Sequence, residues 1–153
     1  MSDVAVLEST GVAHLARDKI LRLEDEVGAL QQVDLPLRHY FSRGVYAREL
    51  TIPAGVVLVG KIHKFSQINI LLKGEMSVLT DDGVKRVRAP FVFESPPGVK
   101  RAGFAHEDSV WMTVHGTNET DLDRLEDELI AKSFEEFDRL CAAEQPRLES
   151  EGS

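Results

Sequence analysis

The sequence predicts an all-β jelly-roll barrel with an N-terminal arm and helix and a C-terminal helix, and three observations predict it. Between Gly44 and Gly116, short runs rich in Val, Ile, Leu and Phe are cut every eight to twelve residues by turn signals, the texture of a sandwich or barrel. On either side the apolar residues recur instead at helical spacing. The length of 153 residues suits one domain, and 42% hydrophobic with 29% charged residues is the balance of an ordinary globular core. The chain accordingly divides into an arm and short amphipathic helix (1–43), the barrel (44–116) and a helix with a polar tail (117–153).

Residues Met1 to Gly11 show no periodicity and read as an extended arm. From Ala13 to Leu30 the positions Ile20, Leu23, Val27 and Leu30 form an apolar stripe, with Gly28 weakening its end and Asp34 and Pro36 marking the loop that follows. Eight strands are expected next: Val45 to Ile52, Val56 to His63, Gln67 to Leu72, Glu75 to Thr80, Val84 to Arg88, Phe91 to Glu94, Val99 to Phe104 and Ser109 to His115. Their punctuators are Pro53-Ala54-Gly55, Lys73-Gly74, Asp81-Asp82-Gly83, Pro90, Pro96-Pro97-Gly98 and Gly103, residues that supply the fixed or positive φ of tight turns. Eight strands suffice for a jelly roll. Beyond Gly116, Leu122, Leu125, Leu129, Phe134 and Phe137 follow a helical period, with Thr120 as expected N-cap, acidic first turns and a break near Ser133. A frayed polar tail is expected beyond Gln145-Pro146.

Composition excludes several roles. The single cysteine, Cys141, allows no intrachain disulfide, so a reducing compartment is expected, and on its apolar helical stripe it reads as a small packed residue. The first residues lack the basic and apolar regions of a signal peptide, and no apolar run approaches the roughly 20 residues of a membrane helix. Net charge of −8 argues against nucleic acid. The basic clusters Lys85, Arg86, Arg88 and Lys100, Arg101 read as solvated strand faces, with a small-anion site at Lys61, Lys100 and Arg101 as the alternative. No nucleophile triad or phosphate loop is present, Ser66 near His63 being no more than a sequence neighbour. Trp111 reads as core, or as a stacking surface for a sugar or base.

The stretch Ile52 to Val78, with Pro53-Ala54-Gly55, Gly60, His63 and Gly74, resembles the first motif of cupins, and Pro90 to Trp111, centred on Pro96-Pro97-Gly98, resembles the second. Cupin enzymes hold a divalent metal with two histidines, a glutamate and a third histidine. Carried onto this chain, those positions fall on Lys61, His63 and Gln67, with the third histidine on or beside Arg101. Only His63 is a good ligand among them. His106 or His115 would have to complete a set with His63 and Gln67.

Further residues, including Gly60-Lys61-Ile62-His63-Lys64, Lys100-Arg101, Ala105-His106-Glu107-Asp108 and Thr120-Asp121-Leu122-Asp123, make Val33 to Ala131 similar to the small cupin-like proteins of tailed bacteriophages. This resemblance implies a non-catalytic structural protein of the virion, assembled in the host cytoplasm: a capsid decoration or cement subunit. It would be a dimer or trimer contacting the major capsid protein, without cofactor, nucleic acid or membrane. Two alternatives stay open. One is a metal-dependent enzyme with His63, Gln67 and His106 or His115 around a divalent transition metal. The other is a binder of a sugar or anion.

Overall fold

The computed structural model describes residues 9–80 and 82–151. Helix α1 (Ser9–Gly28) is followed by ten strands, β1 (Leu37–Ser42), β2 (Val45–Ile52), β3 (Val57–Val59), β4 (Ile62–His63), β5 (Gln67–Lys73), β6 (Glu75–Thr80), β7 (Gly83–Arg88), β8 (Phe91–Ser95), β9 (Ala102–Ala105) and β10 (Ser109–Gly116). Helix α2 (Leu122–Leu129), the short strand β11 (Ile130–Ala131) and helix α3 (Phe134–Glu151) complete the chain. A five-stranded antiparallel sheet, ordered β1-β2-β10-β5-β8, faces a four-stranded sheet, β3-β9-β6-β7, and β11 pairs with β4 at one end. This is the jelly-roll architecture the alternating runs predict.

Period-two alternation sorts each strand into an inner and an outer face. Ile52, Leu71, Met76, Val78, Val87 and Ala105 meet between the sheets as the main core. The outer face of the four-stranded sheet is covered by helices: Ile20 and Leu23 of α1 and Phe134 and Phe137 of α3 pack with Val59, Leu79 and Ala102. Arg17 locks the two helices together, donating to both Asp138 carboxylate oxygens at 2.8 and 3.0 Å while lying over the Phe134 ring. The final helix therefore packs on its own barrel.

Several expectations change. The strand expected from Val56 to His63 is two strands with different partners, β3 on β9 and β4 on β11. The expected strand from Val99 begins only at Ala102. The loop after Pro36 contains β1, which forms a hairpin with β2 through Gly44 at φ 74° and extends the barrel upstream of residue 44. The expected arm, residues 1–11, lies outside the described residues except for its last three, which open α1. Asp121, not Thr120, caps α2, accepting from the Arg124 N–H at 3.0 Å. The break near Ser133 is present, with Ser133 Oγ accepting from the Glu136 N–H, but α3 runs on through Pro146 to Glu151. Cys141 is exposed rather than packed.

Candidate functional site

Between the two sheets lies a cavity of about 450 Å³, within the range that holds small organic ligands. Alternation on four adjacent strands aims its lining inward. From β2 come Arg48, Leu50 and Ile52; from β10, Trp111 and Thr113; from β5, Gln67 and Asn69; from β8, Ser95. Leu58, Met76 and Val78 of the facing sheet supply apolar wall, and Val33, Asp34 and Leu35 of the α1–β1 linker line one side. One part of the cavity is thus hydrocarbon and the rest is dense in hydrogen-bonding groups.

The polar wall is organised around Asn69, which is 5% exposed. Its Oδ1 accepts from Trp111 Nε1 at 3.2 Å and Thr113 Oγ1 at 3.3 Å, and its Nδ2 donates to Ser95 Oγ at 2.9 Å. Two donors into one oxygen fix the amide's orientation. Ser95 Oγ also accepts from Arg101 Nε at 3.1 Å, and the Arg101 guanidinium lies 5.1 Å from the Phe93 ring centroid. Arg101 is therefore held against the wall by a hydrogen bond and a ring face. Two buried atoms on the same wall, His63 Nδ1 and Gln67 Oε1, have no hydrogen-bond partner among the described residues. A buried polar atom left unpaired costs about 1–3 kcal/mol, so each of these atoms favours a partner, a ligand group or an ordered water.

One end of the cavity abuts a stack of rings. His63 lies against His115 at 5.3 Å between centroids, His115 against Tyr46 at 5.8 Å, and Tyr46 against His39 at 5.9 Å, all within 25° of parallel. His39 Nδ1 and the Tyr46 hydroxyl share a hydrogen bond of 2.7 Å. Burial pushes the pKa of both His63 and His115 down to about 4, and the nearby Arg48 cation and, for His63, the His115 ring act in the same direction. Both imidazoles are neutral at pH 7. Helix α2 covers this end: Leu125 and Leu129 pack on Tyr46, Lys61 pairs with Glu126 at 2.6 Å, and Lys64 donates from its Nζ to the Asp127 carbonyl.

The residues singled out from sequence are dispersed differently from expectation. His63 and Gln67 share the cavity wall, but His106 does not line the cavity; it hydrogen-bonds Ser77 Oγ at 2.7 Å. It is half-buried. His63 bonds neither Gln67 nor Asn69; it stacks on His115 instead. Lys61 and Arg101 reach the cavity, Lys61 with its charge engaged by Glu126. Lys100 does not reach it, because its ammonium pairs with Glu24 of α1 at 2.7 Å. Arg86 and Arg88 clamp Glu75 at 2.6 and 2.7 Å, holding that carboxyl below the usual range.

Among the charged residues of the cavity, the one that sequence reading missed is Arg48. Its signal was an arginine on the apolar parity of a strand, between Tyr46 and Leu50.

The donor set does not fit a divalent metal. The positions that resemblance assigns to ligands carry two cations, one amide and one imidazole, and no group of three His, Cys, Asp or Glu side chains converges among the described residues. An amide oxygen and one imidazole are too few anchors, and Arg48 and Arg101 repel a cation.

No protein-family model and no curated protein matches the chain. Among solved structures it is similar to salicylate 1,2-dioxygenase from Pseudoaminobacter salicylatoxidans, with a TM-score of 0.52 and 14% identity over 76% of this chain and 35% of that one. It thus spans about a third of that enzyme's length. A cupin superfamily protein from Desulfitobacterium hafniense aligns at 12% identity and TM-score 0.49, covering 59% of this chain and 85% of that one. KdgF from Halomonas sp. aligns at 18% and 0.49, covering 56% and 84%. The fold is a cupin-like jelly roll. Nothing in these comparisons points to a phage virion.

Proposed function

We propose that the barrel binds a small organic anion, a carboxylate on an apolar body, without a resident transition metal. The observation that carries this reading is the pair of unpartnered buried atoms, His63 Nδ1 and Gln67 Oε1, on a cavity wall that also presents Arg48 and Arg101. Cations there draw a negative group into a protein whose net charge is −8. The neutral His63 imidazole can donate from Nδ1 to a carboxylate, whereas Gln67 Oε1, an acceptor, takes a hydrogen bond from a hydroxyl beside it. Trp111, Leu50 and Met76 cover the apolar part of the same ligand. Asp34 on the linker side opposes a second negative charge, which favours a monoanion. The alternative, a structural subunit of a tailed-phage particle, rests on sequence resemblance and gives the polar cavity wall no role.

Calorimetric titration with hexanoate and benzoate, each beside its neutral amide, tests the reading. Binding of a carboxylate and not of its amide is expected. Arg48→Met keeps the side chain's bulk and removes its charge, and should weaken binding about 10- to 100-fold, the worth of a charge-assisted hydrogen bond. Equal binding of acid and amide, or an unchanged affinity in the variant, overturns the proposal.

A further inference from the structure

A second cavity lies against the first. It holds about 420 Å³ between the end of α1, the α1–β1 linker and β3. Val27, Leu30, Val56 and Val57 give it an apolar lining, and its acidic lining residue, Glu24, is already paired with Lys100 at 2.7 Å. Among the described residues no cation lines it, so it has no means of holding an anion.

The two cavities share part of their walls. Val33 and Leu35 of the linker and Leu58 and Val59 of β3 line both, so what separates the cavities is aliphatic side chain. The linker is anchored on either side of this partition. Gln32 Nε2 donates to the Val27 and Leu30 carbonyls at 2.8 Å, and the Pro36 carbonyl accepts from the Thr51 N–H at 3.1 Å. Between these anchors Val33, Asp34 and Leu35 make no hydrogen bond among the described residues, and Val33 is 56% exposed. The partition can therefore part at Val33 without breaking a hydrogen bond.

From this continuity we infer that the ligand is a straight-chain amphipathic carboxylate, whose head lies in the barrel and whose alkyl tail passes the linker into the second cavity. The inference rests on the anion reading of the barrel and adds the tail and its chamber. Electrostatics sets the direction of entry. Arg48 and Arg101 line the barrel cavity, whereas Asp34 stands on the linker between Val33 and Leu35 and faces that same cavity. A carboxylate at the linker end would meet that acid, so the head goes to the arginines and the tail to the partition. Each methylene that the second cavity takes out of water tightens binding by up to about fourfold.

Calorimetric titration with hexanoate, octanoate and decanoate tests the inference. Affinity should rise at least about 15-fold from hexanoate to decanoate, about twofold or more for each added methylene. Gly28→Phe plugs the second cavity, because Gly28 lines it and a Cβ there meets nothing within 4 Å. This variant should leave hexanoate binding unchanged and abolish the gain for decanoate. Hexanoate binding with no gain for decanoate overturns the inference and leaves the anion reading standing, as does an equal gain in the plugged variant. Binding of none of the three overturns the anion reading and the tail chamber with it. If Gly28→Phe alters the circular dichroism spectrum, Val57→Phe, at the exposed start of β3, plugs the same cavity and is read in the same way.

Discussion

Gly74 shows how little freedom single positions of this barrel have. Its φ is +92°, and a Cβ there would meet Ser109 Oγ and lie 2.6 Å from the Asp108 carbonyl oxygen. Both the conformation and the space exclude a side chain, so Gly74→Ala should cost about 3 kcal/mol or more, from left-handed strain together with overpacking. Chemical denaturation checks it; a loss under 1 kcal/mol would mean that the turn relaxes freely. The glycine was legible from sequence as a turn signal, because turn chemistry is local. Arg48 was not read as a cavity residue, and the stacking of His63 on His115 was not foreseen. What surrounds an inward side chain is decided by strands distant in sequence.

At the scale of elements, α2 is the piece that closes the stacked-ring end of the barrel. Its strong amphipathicity was visible in Leu122, Leu125 and Leu129, but its partner was not. Leu125 is 3% exposed and packs on Tyr46. Leu125→Ala should cost about 2–4 kcal/mol and speed hydrogen exchange in α2 and at Lys64 and Gly98, whose amides donate to the Leu129 and His63 carbonyls. Protection unchanged in α2 would show that β4–β11 pairing alone holds it. The strand β1 escaped notice because Leu37 to Ser42 has no clean apolar face, His39 interrupting Leu37 and Phe41 on one parity and Tyr40 standing between Arg38 and Ser42 on the other. The two-residue β11 has no period to read at all. The helix break at Ser133 was legible, since the cap residue itself sits there.

For the molecule as a whole, the buried histidines make stability depend on pH. The folded pKa of His63 and of His115 is about 4, below the ordinary 6.5. Their contribution is complete above pH 6.5, where both folded and unfolded chains are neutral, and is lost as pH falls from 6.5 toward 4, where only the unfolded chain gains protons. After allowance for partial screening, the loss for the pair is about 3 kcal/mol. Thermal melts between pH 7 and pH 4 should show it. His115→Phe, which keeps a ring against Tyr46, should flatten the slope; an unaltered slope would assign the effect to carboxylates. The sequence by itself determined the jelly-roll class, the turn positions, the two flanking amphipathic helices and the poverty of metal ligands. All of these follow from local conformational preference, period and residue chemistry. Only the tertiary structure decided that Arg48, His63, Gln67, Asn69 and Arg101 share one cavity while Lys100 and His106 do not. It alone decided, too, that α1 and α3 pack together on the four-stranded sheet while α2 closes on Tyr46. Those outcomes depend on which strands pair and which faces meet, and long-range pairing leaves no periodic mark on the chain.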